Sequence, residues 1–160
     1  MRKGAVTSSV LVILVSLAAL STVGYACNQV PFLRWDEACL KACATAALYN
    51  LCQETLQHAP DAAEASVYAL LAARFAGRSY DDSAGAAERL LAAGSSVPAY
   101  RRCVDSCDLW RLRYRYADAA AAVESCGKGL AAGAPLAAMN AADRDRTVVA
   151  SGLGALIVGK

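Results

Sequence analysis

The residues of this chain best suited to chemistry are its seven cysteines and its single histidine. A thiol can act as a nucleophile, bind a metal or pair with a second thiol, and the first two roles need partners that the chain must supply. A Cys-His nucleophile pair or a Cys/His zinc site would depend entirely on His58, and Pro60 follows two residues later to stop any helix there. His58 therefore reads as a turn or surface histidine. The carboxylates are scattered without a pair that could serve as general acid and base, and no glycine-rich phosphate loop occurs. The chain is read as a non-enzyme with no catalytic residue, metal ligand or cofactor.

Pairing is then the remaining chemistry of the cysteines. Cys43 and Cys52 stand with eight residues between them on an Ala/Leu-rich segment. A straight helix over that segment would hold their alpha carbons ~13 Å apart, whereas a disulfide needs them within ~7 Å. Either the two thiols stay separate or the chain turns back between them. A secreted chain favours the turn, because oxidising compartments pair cysteines and small secreted domains use such bridges to hold short elements together. Cys43 and Cys52 are thus the expected pair, with a hairpin break near Ala47 to Asn50. The surplus Cys27, Cys39 and Cys107 make the count odd, which leaves at least one thiol free or bonded between chains. Cys27 can reach Cys39 on a loose N-terminal arm, but nothing in the sequence fixes that pairing.

Secretion is read from residues 1–26. Arg2 and Lys3 form a short basic region, Val10 to Leu20 is apolar apart from Ser16, and Gly24-Tyr25-Ala26 offers small residues for cleavage. The rival reading is an uncleaved anchor, since no charge occurs from Gly4 to Val30 and a span needs ~20 residues. The short apolar run suits a signal better. A second apolar stretch, Val148 to Val158, contains Gly152 and Gly154 and ends at Lys160, so it reads as a terminal core helix rather than a lipid-anchor tail. Residues 27–160 are then one extracellular domain, long enough to bury a core.

Without Arg2 and Lys3 the acidic and basic residues balance, which argues against a nucleic-acid binder. The local exception is Arg101, Arg102, Arg111, Arg113 and Arg115, with Trp110, Tyr114 and Tyr116 interleaved. A basic aromatic patch of that kind suits an acidic partner or polysaccharide. With Asp105 and Asp108 close by, the plainer reading is a solvated helix face with half-buried aromatics.

The elements that must carry these residues are helical. Alanine dominates, leucine is common, and no Val/Ile/Thr/aromatic alternation lasts long enough for a strand. Asp36 is placed to cap a helix bearing Cys39, Leu40 and Cys43 on one face. After Cys52 a helix runs to about His58, and Asp61-Ala62-Ala63-Glu64 has the spacing of a capping box for the next. Val67, Leu70, Leu71 and Phe75 recur at helical spacing and are the expected core face there. Asp81-Asp82-Ser83 offers a fresh cap, Gly94 to Pro98 a turn that opens another helix, and Val149, Leu153, Leu156 and Ile157 share a face at the C-terminal end. The sum is an all-α antiparallel bundle behind a stapled N-terminal hairpin.

In pattern and order the chain resembles the plant invertase and pectin methylesterase inhibitors, small secreted proteins with a helical hairpin in front of a four-helix up-and-down bundle. The residues that carry the resemblance are Cys-Ala-Thr-Ala-Ala-Leu-Tyr-Asn-Leu-Cys at 43–52 with Leu56 following, the proline-bearing stretch His58-Ala59-Pro60-Asp61, the Ala69-Leu70-Leu71-Ala72 helix, and Tyr100-Arg101-Arg102-Cys103. It covers roughly residues 38–158. The resemblance implies a Cys43–Cys52 staple and a second disulfide between Cys103 and Cys126. It also implies a one-to-one complex in the apoplast that occludes the substrate groove of pectin methylesterase or acid invertase. The invertase-binding members use a Pro-Lys-Phe tripeptide that this chain lacks, which leans the expectation towards pectin methylesterase. Arg111, Arg113, Tyr114, Arg115 and Tyr116 are the nominated contact patch.

Two departures stand beside the resemblance. The family places about forty residues between the second cysteine pair, and this chain places Cys103 and Cys126 only twenty-three positions apart, so its central helices are shortened. With no Gly or Pro from Ala99 to Cys126, local propensity favours one helix, which would hold those cysteines ~34 Å apart. A bond requires a turn near Trp110 to Tyr116. The second departure is the three surplus cysteines. The shortened central segment also leaves open a secreted helical remnant of the family that binds no enzyme.

Overall fold

The computed structural model describes residues 30–106 and 116–159. Its first elements are a strand, β1 (Phe32–Arg34), and two short helices, α1 (Trp35–Ala42) and α2 (Ala46–Leu56). A second strand, β2 (Ala62–Glu64), leads into the long α3 (Ala65–Ala92), followed by α4 (Pro98–Ser106), α5 (Tyr116–Gly127) and α6 (Pro135–Ile157). The described chain is mostly helical, as its composition predicts.

The hairpin folds back at a different point from the one expected. α1 ends at Ala42, Cys43 is already extended, and the Thr45 hydroxyl caps α2 by accepting from the Leu48 amide at 3.3 Å. The reversal therefore occupies residues 43–45, and Ala47 to Asn50 lie inside α2. The expected capping box at Asp61 to Glu64 is instead the second strand of a small antiparallel ribbon, with Leu33 opposite Ala63. Both strands have only three residues, too short for alternation to announce them.

α3 runs unbroken through Gly77 and through Asp81-Asp82-Ser83, where a new helix start was expected. Ser83 spends its hydroxyl on Asp143 of α6 rather than on capping its own backbone, so the stop signal is silent. The helix ends where the sequence expects, at a Schellman turn. Gly94 takes φ +87°, its amide bonds Leu91 and the Ser95 amide reaches back to Leu90. Pro98 then opens α4.

The face of α3 that packs inward is not the one that periodicity favours. Val67, Leu70 and Phe75 are exposed at 38%, 53% and 36%, and only Leu71 of that set leans on the core. The buried face is Ala65, Tyr68, Ala69, Ala72, Ala76, Tyr80, Ser83 and Ala87. Small side chains let neighbouring helices approach closely, and two tyrosines fill the volume that leucines would otherwise take.

Three buried clusters follow one another along α3. Beside its first turns, Leu33, Cys39, Cys52, Leu56 and Tyr68 meet Val149, Ala150 and Leu153 of α6, with Leu156 and Ile157 at the edge. This C-terminal face is as expected. Ala76 and Tyr80 then meet Ala119 and Val123 of α5. Towards the end of α3, Ala87 meets Tyr100, Cys103, Cys126 and Leu136. Tyr68 anchors the N-terminal end, its buried hydroxyl reaching the carbonyls of Leu33 at 3.0 Å and Pro60 at 3.1 Å.

Candidate functional site

The cysteine framework contains one correction. Cys39 is bonded to Cys52, with alpha carbons 5.7 Å apart, and among the described residues Cys43 carries a free thiol. Because the chain reverses at residues 43–45, Cys43 sits at the fold point, while Cys52 lies six residues along α2, ~9 Å from that helix's start. Cys39, one turn back on α1 and fully buried, runs alongside it. The Cys43–Cys52 pairing and the Cys27–Cys39 alternative are both excluded by this bond. Burial pushes the half-buried Cys43 thiol up from its ordinary pKa, which keeps it protonated and weakly nucleophilic.

Cys103 is bonded to Cys126, with alpha carbons 4.1 Å apart. The chain accordingly reverses between α4 and α5, and one continuous helix from Ala99 to Cys126 is ruled out. Local propensity missed the reversal because no breaker residue marks it. Cys27 and Cys107 lie outside the described residues.

Of the nominated contact patch, Arg111, Arg113, Tyr114 and Arg115 lie outside the described residues, and Tyr116 opens α5. His58 sits exposed in the turn after α2. Asp36 is not a cap: α1 starts after Arg34, which makes no side-chain cap bond, and Asp36 instead lies in the first turn and accepts from the Arg34 Nε at 3.1 Å. Leu40, expected to share the inward face with Cys39, is 70% exposed.

Two features were not anticipated. One is a polar seam inside the α3–α6 contact. Asp143 is buried and accepts from the hydroxyls of Ser79 and, at 2.6 Å, Ser83. Arg146 donates to the Ser79 oxygen, and Thr147 bonds Tyr80 and donates to the Asp143 carbonyl at 2.7 Å. Burial holds the Asp143 carboxyl above its ordinary pKa, against the opposing pull of its serine bonds and of Arg146. Sequence spacing cannot show such a cluster, because its members come from helices about sixty residues apart.

The other feature is the outer stripe of α3. Val67, Leu70 and Phe75 stand there with Arg74 and Arg78, and the Arg146 guanidinium lies over the Phe75 ring at 5.1 Å. Among the described residues no group of His, Cys, Asp and Glu is gathered to hold a metal, and no helix is long and apolar enough to cross a membrane. Compared with known proteins, the chain matches no family model, no curated protein and no solved structure.

Proposed function

We propose that this chain is a secreted, non-catalytic inhibitor that sits on pectin methylesterase and blocks its substrate groove. In this reading α3 to α6 form the up-and-down four-helix bundle of that inhibitor family, with the α1–α2 hairpin in front of it. The observation that carries the reading is the order of parts: a disulfide-stapled helical hairpin, a proline-bearing turn, a long Ala/Leu helix, and a second bridge joining the two helices that follow. Secretion is supported by two bridges in so small a chain, since such bonds persist in oxidising compartments. A bundle stapled in this way loses little conformational entropy on docking, which favours a steric inhibitor.

The test is a titration of the oxidised protein against a plant pectin methylesterase and, in parallel, an acid invertase, following residual activity. Pectin methylesterase activity should fall to a plateau near one inhibitor per enzyme, with invertase unaffected. Full activity of both enzymes in the presence of protein with both bridges formed would reject the inhibitor role.

A further inference from the structure

We infer that Arg146 is the moving part of a proton-operated latch between α3 and α6, lying over the Phe75 ring while the Asp143 carboxyl is protonated and swinging onto that carboxyl when it ionises. The two side chains are held one hydroxyl apart. Arg146 donates to the Ser79 oxygen, and the same hydroxyl donates to Asp143. Asp143 and Arg146 are also three positions apart on α6, which makes them neighbours on the helix surface with the acid on the N-terminal side. A change of arginine rotamer brings them together without any movement of the helices.

The position of Arg146 over the ring suits a neutral carboxyl. Its guanidinium lies 5.1 Å from the Phe75 ring centroid, and Ser79 is its one hydrogen-bond partner among the described residues. The Nε is buried there without a partner, a cost that a two-pronged arginine–carboxylate pair removes. Asp143 is buried, accepts from a serine hydroxyl on each oxygen, and has no ion-pair partner among the described residues. That setting is adequate for a neutral acid and costly for a buried charge, so ionisation supplies the force that draws Arg146 off the ring. The charges that act on Asp143 are Arg146, which favours ionisation, and Asp82 of α3, which opposes it. Elsewhere on α6, Arg144 and Asp145 pair with each other at 3.3 Å, and on α5 Asp118 is half-buried and Glu124 exposed. The latch gives the outer face of α3 two states, with Phe75 capped by a cation in acid and bare at higher pH.

NMR of the isotope-labelled full chain, expressed through a secretory host with its own N-terminus, tests the latch from about pH 3 to 9. It follows the Asp143 carboxyl carbon together with cross-relaxation between Arg146 and the Phe75 ring. The ring contact should fall to about a tenth of its acid value, with the same midpoint as the Asp143 titration. Asp143→Asn should keep the contact at every pH. Phe75→Leu removes the competing seat of the guanidinium and should lower the Asp143 midpoint by about half a pH unit, whereas Arg146→Gln should raise it by about one. A seam that only joined the helices would not move the two midpoints in opposite directions. Circular dichroism confirms that each variant is folded, and the wild-type titration decides the matter without any variant. A ring contact that persists while Asp143 ionises overturns the proposal, as does a carboxyl that stays protonated throughout. So does loss of the contact in Asp143→Asn, a Phe75→Leu midpoint that stays put or rises, or an Arg146→Gln midpoint that fails to rise.

Discussion

Asp143 is the residue whose chemistry has the clearest consequence. Burial raises its carboxyl pKa in the folded chain above the ordinary 3.8, so the fold favours the protonated form. The contribution to stability is then fully present below the unfolded value and is lost as pH rises through the folded one. Wild-type melting temperature should therefore decline as pH climbs out of the ordinary carboxylate range. Asp143→Asn mimics the neutral acid. It should match wild type to within about 1 kcal/mol in acid, and its melting temperature should stay flatter as pH rises. A wild-type decline that the asparagine variant reproduces would show that the pH dependence lies elsewhere.

At the scale of elements, the approach of α1 to α6 is set by one missing side chain. A Cβ built on Gly152 would stand 2.3 Å from the Ala42 carbonyl oxygen and 3.3 Å from the Ala42 Cβ. The nearest obstacle is backbone, so the helices themselves must part. Gly152→Ala should cost about 1–3 kcal/mol despite alanine's better helix propensity, measured as the shift in urea midpoint. An unchanged midpoint would mean that the crossing yields.

How much of these elements the sequence reveals depends on side-chain size. The Val149, Leu153, Leu156 and Ile157 face is legible because its residues are large and regularly spaced, and the helix end at Gly94 because only glycine adopts that turn easily. The inward face of α3 is illegible because Ala69, Ala72, Ala76 and Ser83 carry little hydrophobic signal, whereas Val67, Leu70 and Phe75 carry most of it and point outward. The Cys39–Cys52 bond is hidden for a related reason. Spacing shows that a turn is needed near these cysteines but not which residue it occupies, and a shift of a few positions exchanges Cys43 for Cys39. Of the candidate site, the Cys103–Cys126 bond came from resemblance rather than from periodicity, and the outer stripe of α3 was mistaken for core.

At the scale of the whole molecule, one bridge sits in the cluster at each end of α3, with the polar seam between them. The bridges span 13 and 23 positions, loops for which cross-linking is worth about 3 kcal/mol each. Cys52→Ser should therefore lower stability by about that amount, whereas Cys43→Ser should cost about 1 kcal/mol or less and leave both bridges in place on non-reducing peptide mapping. Equal losses from the two variants would place Cys43 in the framework after all. The alanine-lined contacts have a thermal side too. Methyl-sized side chains bring little apolar surface out of water per residue, and the heat capacity released on unfolding scales with that surface. A fold held by short side chains and covalent links has a shallow free-energy curve, and its margin over the unfolded chain changes slowly between cold and heat.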